Sequence, residues 1–164
     1  MVFSYYRKLS KYQKKIYRES DSIPVVRLRH TRGFKTVIKN IEAALKREDR
    51  KAVEGYSREF LSRITSVLEV PPVTIRVYAV RPHDEWGELH GLYHPIRGRK
   101  RARIQVWMRT ARKNNVVAFR TFLRTILHEL CHHLDYELLN LEDSFHTQGF
   151  YKRESSLFHQ IVRD

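Results

Sequence analysis

Two histidines and a glutamate in the segment 125–136 have the types and spacing of a zinc-binding helix. His128 and His132 are four residues apart, so on a helix their imidazoles lie one turn apart on the same face. Two nitrogens placed in this way can bind one Zn²⁺ at about 2.0–2.1 Å. Glu129 lies one step around the helix, where its carboxylate can act as general base on a water at the metal. The segment therefore predicts a hydrolytic zinc site.

The helical phase of the neighbouring residues supports this interpretation. At about 100° per residue, His132 lies near +40° from His128 and Asp135 near −20°. We expect Asp135 to hydrogen-bond a histidine rather than bind the metal. The opposite face is apolar and should anchor the helix in the core, with Cys131 as a core residue; its members are Leu123, Ile126, Leu127, Leu130, Cys131, Leu134 and Leu138.

A catalytic zinc needs a third protein ligand and an open position. His146 is the first candidate, because it follows a break in the helical pattern at 140–144, where the chain can turn back. Glu154, inside the next predicted helix, is the alternative ligand. The sequence leaves both open.

The elements that must position these residues follow from hydrophobic periodicity. Apolar spacing predicts helices over 5–19, 36–48, 50–69, 116–139 and 147–162, and period-two alternation predicts strands over 73–80 and 102–109. The segment 88–95 is short and rich in turn residues, and 97–101 is typical of a hairpin turn. We therefore expect one α+β domain over 1–164, with a basic helical region (1–70), a catalytic core (71–164) and a small, mainly antiparallel sheet.

Composition and charge favour some classes of function and exclude others. The chain has 164 residues and a net charge of +14, which suits contact with nucleic acid or another polyanion. By segment, residues 1–40, 41–70, 71–120 and 121–164 carry +9, 0, +8 and −3. The one cysteine excludes a disulfide framework and a cysteine-based zinc finger. No segment is typical of a signal peptide or a membrane span, so we expect a cytoplasmic protein with no membrane partner.

In these residues, the chain resembles the SprT-like zinc metallopeptidases, minimal members of the zincin class. His128-Glu129-x-x-His132 is followed fourteen residues later by His146, and Phe150 stands four residues after His146. In that family, two histidines and the glutamate come from the active-site helix, and a third histidine precedes a phenylalanine by four residues. The upstream residues 91–93 and 103–107 are similar to the edge strand above the cleft. The resemblance covers roughly residues 73–160.

The resemblance implies a zincin-like fold and a zinc-dependent endopeptidase that cleaves a protein substrate, and some family members act on proteins bound to DNA. Many relatives also carry a cysteine-rich zinc ribbon, which a chain with only Cys131 cannot form. We expect strand 102–109 to bind substrate as an added antiparallel strand. Tyr93, His94 and Tyr151 are open candidates for stabilising the oxyanion.

A basic run provides the candidate contacts to nucleic acid, because a turn exposes it. Its members are Arg97, Arg99, Lys100, Arg101 and Arg103. The tyrosines of 5–19 have two interpretations, a buried stripe or a base-stacking surface. The alternative to a peptidase is a basic nucleic-acid-binding protein with a structural or inactive metal site, and a third class is a module that binds acidic proteins.

Overall fold

Helices supply most of the secondary structure of residues 1–85 and 87–163, which are the residues that the computed structural model describes. The α-helices in this part of the chain are α1 (Lys11–Asp21), α2 (Phe34–Lys46), α3 (Arg50–Leu68), α4 (Phe119–Glu137) and α5 (Gln148–Val162). Strand signals fall in the middle of the chain. The fold is therefore α+β, as the sequence predicts.

The ends of α3 and α5 follow from local capping. Asp49 precedes α3 and its side chain accepts a hydrogen bond from the backbone N–H of Ala52. Glu69 then adopts a left-handed conformation (φ 54°) before Pro71 and Pro72 prevent continuation. Thr147 caps α5 by accepting from the N–H of Phe150. That cap fixes the position at which the chain enters α5, directly after His146.

The first predicted helix is divided in two. A short 3₁₀ helix covers Ser4–Lys8, and α1 begins only at Lys11. The division occurs at Ser10, which forms a reciprocal capping box with Gln13. The predicted apolar stripe is confirmed in part, since Tyr17 is fully buried whereas Tyr12 is 54% exposed.

The strands form a mixed sheet, which corrects the expectation of a mainly antiparallel one. They are β1 (Val73–Val80), β2 (His83–Asp84), β3 (Gly87–Glu88), β4 (Gly91–His94) and β5 (Ala102–Arg109). The main sheet has the order β1-β5-β4, with β1 parallel and β4 antiparallel to β5; β2 and β3 form a separate pair. Side-chain alternation reveals a strand but not the direction of its neighbour, so the sequence could not fix this topology.

The predicted turn between β4 and β5 is confirmed. Arg97 and Lys100 exchange backbone hydrogen bonds of 2.9 and 3.2 Å, and Gly98 has φ 58°. A positive φ there suits glycine. The turn exposes the basic run, and it joins β4 to β5 as a hairpin.

One hydrophobic cluster holds the helices and the sheet together. Its buried members run from Val26 to Ile161 and come from α2, α3, β1, β5, α4 and α5. The regions 1–70 and 71–164 therefore share a core, with α3 packed against β1 and α2 packed against α3. In the described part of the chain, no helix combines the length and apolar character that crossing a membrane requires.

Candidate metal centre

Helix α4 buries its apolar face and turns two histidines outward, as the sequence predicts. Six of the seven predicted apolar positions are buried and Leu138 is partly buried. Cys131 is 1% exposed, which confirms it as a core residue. The rings of His128 and His132 lie on the other face, 5.2 Å apart between centroids.

His146 brings the third imidazole to the same point. After α4, Asn140 adopts a left-handed conformation (φ 54°) and the chain turns back toward the helix. The Nε2 atom of His146 is 3.1 Å from that of His128 and 3.0 Å from that of His132. One ligand atom from each histidine lies within 4.8 Å of the other two. Three imidazole nitrogens therefore converge.

The groups that hydrogen-bond one nitrogen of each imidazole decide which nitrogen is left free to bind a metal. The Nδ1–H of His128 donates to Oε2 of Glu154 (2.9 Å). Ser144 donates its hydroxyl to Oδ2 of Asp135 (2.7 Å), so its oxygen accepts from Nδ1–H of His132 (2.7 Å). Both helix histidines therefore carry their proton on Nδ1 and present an Nε2 lone pair to the centre.

Burial favours the neutral form of two of the three histidines. Burial, together with the neighbouring imidazoles, lowers the pKa of His132 to about 3, and burial also lowers the pKa of His146. Nε2 of His146 lies at hydrogen-bond distance from these two lone pairs, 3.1 Å from that of His128 and 3.0 Å from that of His132. Tetrahedral Zn²⁺ bound at 2.0–2.1 Å would separate its nitrogens by roughly 3.3–3.4 Å. The donor set and spacing therefore fit a zinc ion.

Glu129 lies beside the cluster and is buried, with 7% of its surface exposed. Burial raises its pKa to about 7, with Glu154 adding to the rise and His128 opposing it. Its carboxylate abuts β4, because a Cβ on Gly91 would come 2.6 Å from Oε1. The carboxylate thus lies between the helix and the edge of the sheet.

A cleft of about 680 Å³ opens over these groups. One wall is β4 with the loop before it, and the other is the polar face of α4 with the residues that lead into α5. The lining includes Glu88, Gly91, Tyr93, Pro95, Arg124, His128, Glu129, His132, Tyr136, His146 and Glu154. This size suits an extended segment of a larger molecule or a small ligand.

The structure separates the two candidates for the third ligand. Glu154 lies outside the histidine cluster and instead orients His128. Asp135 is fully buried and reaches His132 only through Ser144, so the expected direct hydrogen bond to a histidine is not present. The intervening hydroxyl is a difference that helical phase alone could not reveal.

The prediction that strand 102–109 pairs with substrate is wrong. β5 (Ala102–Arg109) lies at the centre of the sheet and both of its edges are occupied, by β1 and β4. β4 is the edge strand, and its residues line the cleft. The sequence missed this because β4 has only four residues and no clear alternation.

The three candidates for the oxyanion donor differ in what they contact. The Nε2–H of His133 donates to the carbonyl of Pro71, so its Nδ1 accepts from the hydroxyl of Tyr93 (2.8 Å). That hydroxyl is therefore already engaged, and His133 joins it to the backbone of Pro71. His94 contacts Gln105. The ring of Tyr151 packs 5.8 Å from that of His146 and is 43% exposed.

Sequence reasoning missed four residues around the site. Ser144 and Arg153 belong to the hydrogen-bond chain behind His132. Tyr5 donates to the carbonyl of His146 (2.7 Å), and Gly91 allows β4 to approach Glu129. Only Gly91 carried a signal, because it begins the segment 91–93 that resembles part of the family's edge strand.

The basic run lies on the hairpin turn and on β5, next to the cleft. A depression of about 200 Å³ is lined by His94, Pro95, Arg97, Lys100, Arg101 and Arg103. Pro95 lines the cleft as well. Within residues 1–85 and 87–163, the five cations of the basic run form no ion pair. Their charge is available to an external anion.

Comparison with known proteins shows no family for this chain. No family model matches it, and neither a curated protein nor a solved structure gives a significant match.

Proposed function

We propose that the chain is a zinc-dependent metallopeptidase with a zincin-like arrangement, the function that its resemblance to the SprT-like family implies. The observation that supports the proposal most directly is the convergence of three Nε2 atoms beside a glutamate in a cleft. His128, His132 and His146 would hold the metal. Bound zinc would polarise the scissile carbonyl and activate a water.

The chain's own residues supply the remaining steps. Glu129 takes a proton from the attacking water as the oxygen adds to the carbonyl carbon. The C–N bond then breaks, and Glu129 returns the proton to the leaving amine. A segment of substrate lying against β4 can form backbone hydrogen bonds with that edge strand. Glu154 and Ser144 keep His128 and His132 in one tautomer.

Glu129→Gln tests the proposal. We expect the variant to retain about one zinc per chain, measured by elemental mass spectrometry on protein without an affinity tag. Cleavage of a fluorescein-labelled unfolded casein should fall about 10²–10⁴-fold, because the general base is lost. Glu137→Gln on the same helix serves as the matched control and should cleave normally. Cleavage by Glu129→Gln at the unsubstituted rate, or absence of zinc from the parent protein, would reject the proposal.

The unpaired cations of the basic run support a second candidate, a nucleic-acid-binding protein. An exposed turn with no described ion pairs is suited to phosphate contacts. The stacked rings of Tyr78 and Trp107 lie on the adjoining strands β1 and β5 (centroids 5.8 Å apart). This role is compatible with a peptidase, since a nucleic acid can bring a protein substrate to the cleft.

Charge reversal distinguishes specific contact from general attraction. We expect Arg97→Glu/Arg101→Glu to weaken binding of a labelled single-stranded oligonucleotide at least tenfold and to reduce the salt dependence of binding. Lys39→Glu/Lys51→Glu, exposed on α2 and α3, changes net charge equally and should have a smaller effect. Equal losses in both variants would exclude the basic run as the contact surface. Only hydrolysis that depends on Glu129 separates the two functions.

A further inference from the structure

A buried guanidinium connects the N-terminal segment, defined here as residues 1–23, to the metal centre. Arg153 of α5 is 1% exposed. Its Nη1 donates to the carbonyl of Ser20 (2.6 Å) and to that of Ile23 (2.5 Å). Its Nη2 donates to the hydroxyl of Ser20 (2.9 Å) and to Oδ1 of Asp135 (3.0 Å). One side chain therefore joins the end of α1 to α4.

From Asp135 the connection continues to a metal-facing ring. Oδ2 of Asp135 accepts from Ser144, whose oxygen accepts from Nδ1–H of His132, and both distances are 2.7 Å. Asp135 is fully buried, so its charge needs the guanidinium as counterion. The carbonyls at the end of α1 carry partial negative charge and hold the guanidinium from the other side. Arginine suits this place because its planar fork donates in several directions at once.

A second connection reaches His146. The Tyr5 hydroxyl donates to the carbonyl of His146 (2.7 Å). Farther along, Asp21 accepts from the backbone N–H of Gly149 (2.9 Å). A Cβ on Gly149 would collide with the backbone of Ser20 and Asp21, so only glycine permits this approach of α5 to α1. The N-terminal segment thus contacts the chain on both sides of Thr147.

We propose that Arg153, Ser144 and Tyr5 are positioning residues, through which the N-terminal segment sets the orientation of His132 and His146. This inference rests on the proposed function, because the orientation of the two rings serves to hold a metal. Without Ser144, the Nδ1–H of His132 has no acceptor among its present contacts, and the ring can rotate or change tautomer. Without the Tyr5 hydroxyl, the backbone that carries His146 loses one restraint.

The first test uses the metal-free protein. In ¹⁵N–¹H spectra of the imidazole groups, His132 of the unsubstituted protein should be in the Nδ1–H tautomer. Ser144→Ala should convert His132 to a mixture of tautomers and leave His128, which Glu154 holds, unchanged. Ser155→Ala on α5 is the matched control and should alter neither ring. An unchanged His132 spectrum in Ser144→Ala would overturn the inference.

The second test uses metal affinity. We expect Ser144→Ala and Tyr5→Phe each to lower zinc affinity about tenfold or more in competition with a chelator, and to shift the visible spectrum of the Co²⁺-substituted protein. Tyr6→Phe, whose hydroxyl makes no hydrogen bond to the site, should retain both properties. Arg153→Lys keeps the positive charge but loses the planar guanidinium, and it should lower the zinc affinity more than Ser144→Ala or Tyr5→Phe. Loss of thermal stability with unchanged affinity and spectrum would show a structural role alone.

The two proposals fail in different ways. If zinc-loaded unsubstituted protein cleaves no peptide bond but Ser144→Ala still changes the His132 tautomer, the proposed function is rejected and the positioning role stands. If the protein is an active peptidase and the variants leave tautomer and affinity unchanged, the positioning role is rejected.

Discussion

At the scale of single residues, the second nitrogen of each imidazole determines what the first can do. Glu154 accepts from His128 and Ser144 from His132, which leaves both Nε2 lone pairs facing His146. The carboxyl of Glu154 is itself near Arg124, whose guanidinium lies 4.0 Å away. His146 and Glu154, which the sequence offers as rival ligands, therefore take different places: His146 faces the other two imidazoles and Glu154 accepts a hydrogen bond from His128.

Zinc affinity should distinguish the role of His146 from that of Glu154. Loss of a residue that only hydrogen-bonds a metal ligand lowers metal affinity roughly 10–100-fold. We expect His146→Ala to lower zinc affinity by more than this, because the variant removes a proposed ligand. Glu154→Gln should lose no more than about 10–100-fold, since an amide oxygen can still accept from Nδ1–H. Chelator competition measures both variants. Equal losses would instead make Glu154 a ligand.

At the scale of elements, the approach of β4 to α4 forms the cleft. Gly91 at the start of β4 lies against Glu129 and Thr125, and Tyr93 packs against His132 and His133. β5 holds β4 in place through antiparallel pairing from Gly91 to His94. A short edge strand thus positions one wall of the cleft relative to α4.

Gly91→Ala should therefore impair hydrolysis without removing the metal. The added Cβ would lie 2.6 Å from Oε1 of Glu129 and 2.9 Å from Cγ2 of Thr125, so the carboxylate must move. We expect an activity loss on the order of 10²-fold, with zinc content unchanged. Gly55→Ala in α3 is the control, because its Cβ meets nothing within 4 Å and alanine favours a helix by about 1 kcal/mol. Full activity of Gly91→Ala would show that the contact does not matter.

At the scale of the whole molecule, the three histidines of the candidate metal centre come from two regions of the chain and meet only in the folded state. His128 and His132 lie on α4, whereas His146 precedes α5 and is tied to the N-terminal segment by Tyr5. An unfolded chain does not present the three nitrogens together. Metal binding should therefore stabilise the fold as a whole.

Zinc should raise the melting temperature. At a free zinc concentration one hundred times the dissociation constant, linkage contributes about 2.7 kcal/mol. For a chain of this length, that corresponds to a rise in Tm of roughly 5–11 °C by circular dichroism. Mg²⁺, which prefers oxygen ligands, should give no rise, and neither should zinc added to His146→Ala. An equal rise with that variant would place the bound zinc elsewhere.

Local sequence patterns were enough to predict the helices, two strands and the outward face of α4. Periodicity reveals these because each depends on neighbours within a few residues. It placed His128, Glu129 and His132 on one element and named His146 as a candidate. Capping at Ser10, which divides the predicted first helix, is also local and could have been recognised from Ser10 and Gln13.

The contacts between distant parts of the chain could not be predicted from local patterns. The parallel pairing of β1 with β5, the edge position of β4 and the placement of His146, rather than Glu154, beside the other two imidazoles all depend on long-range packing. The same holds for Ser144 and for Arg153, whose partners are up to 133 residues away. No local pattern encodes such contacts, because the side chains meet only after the core has formed.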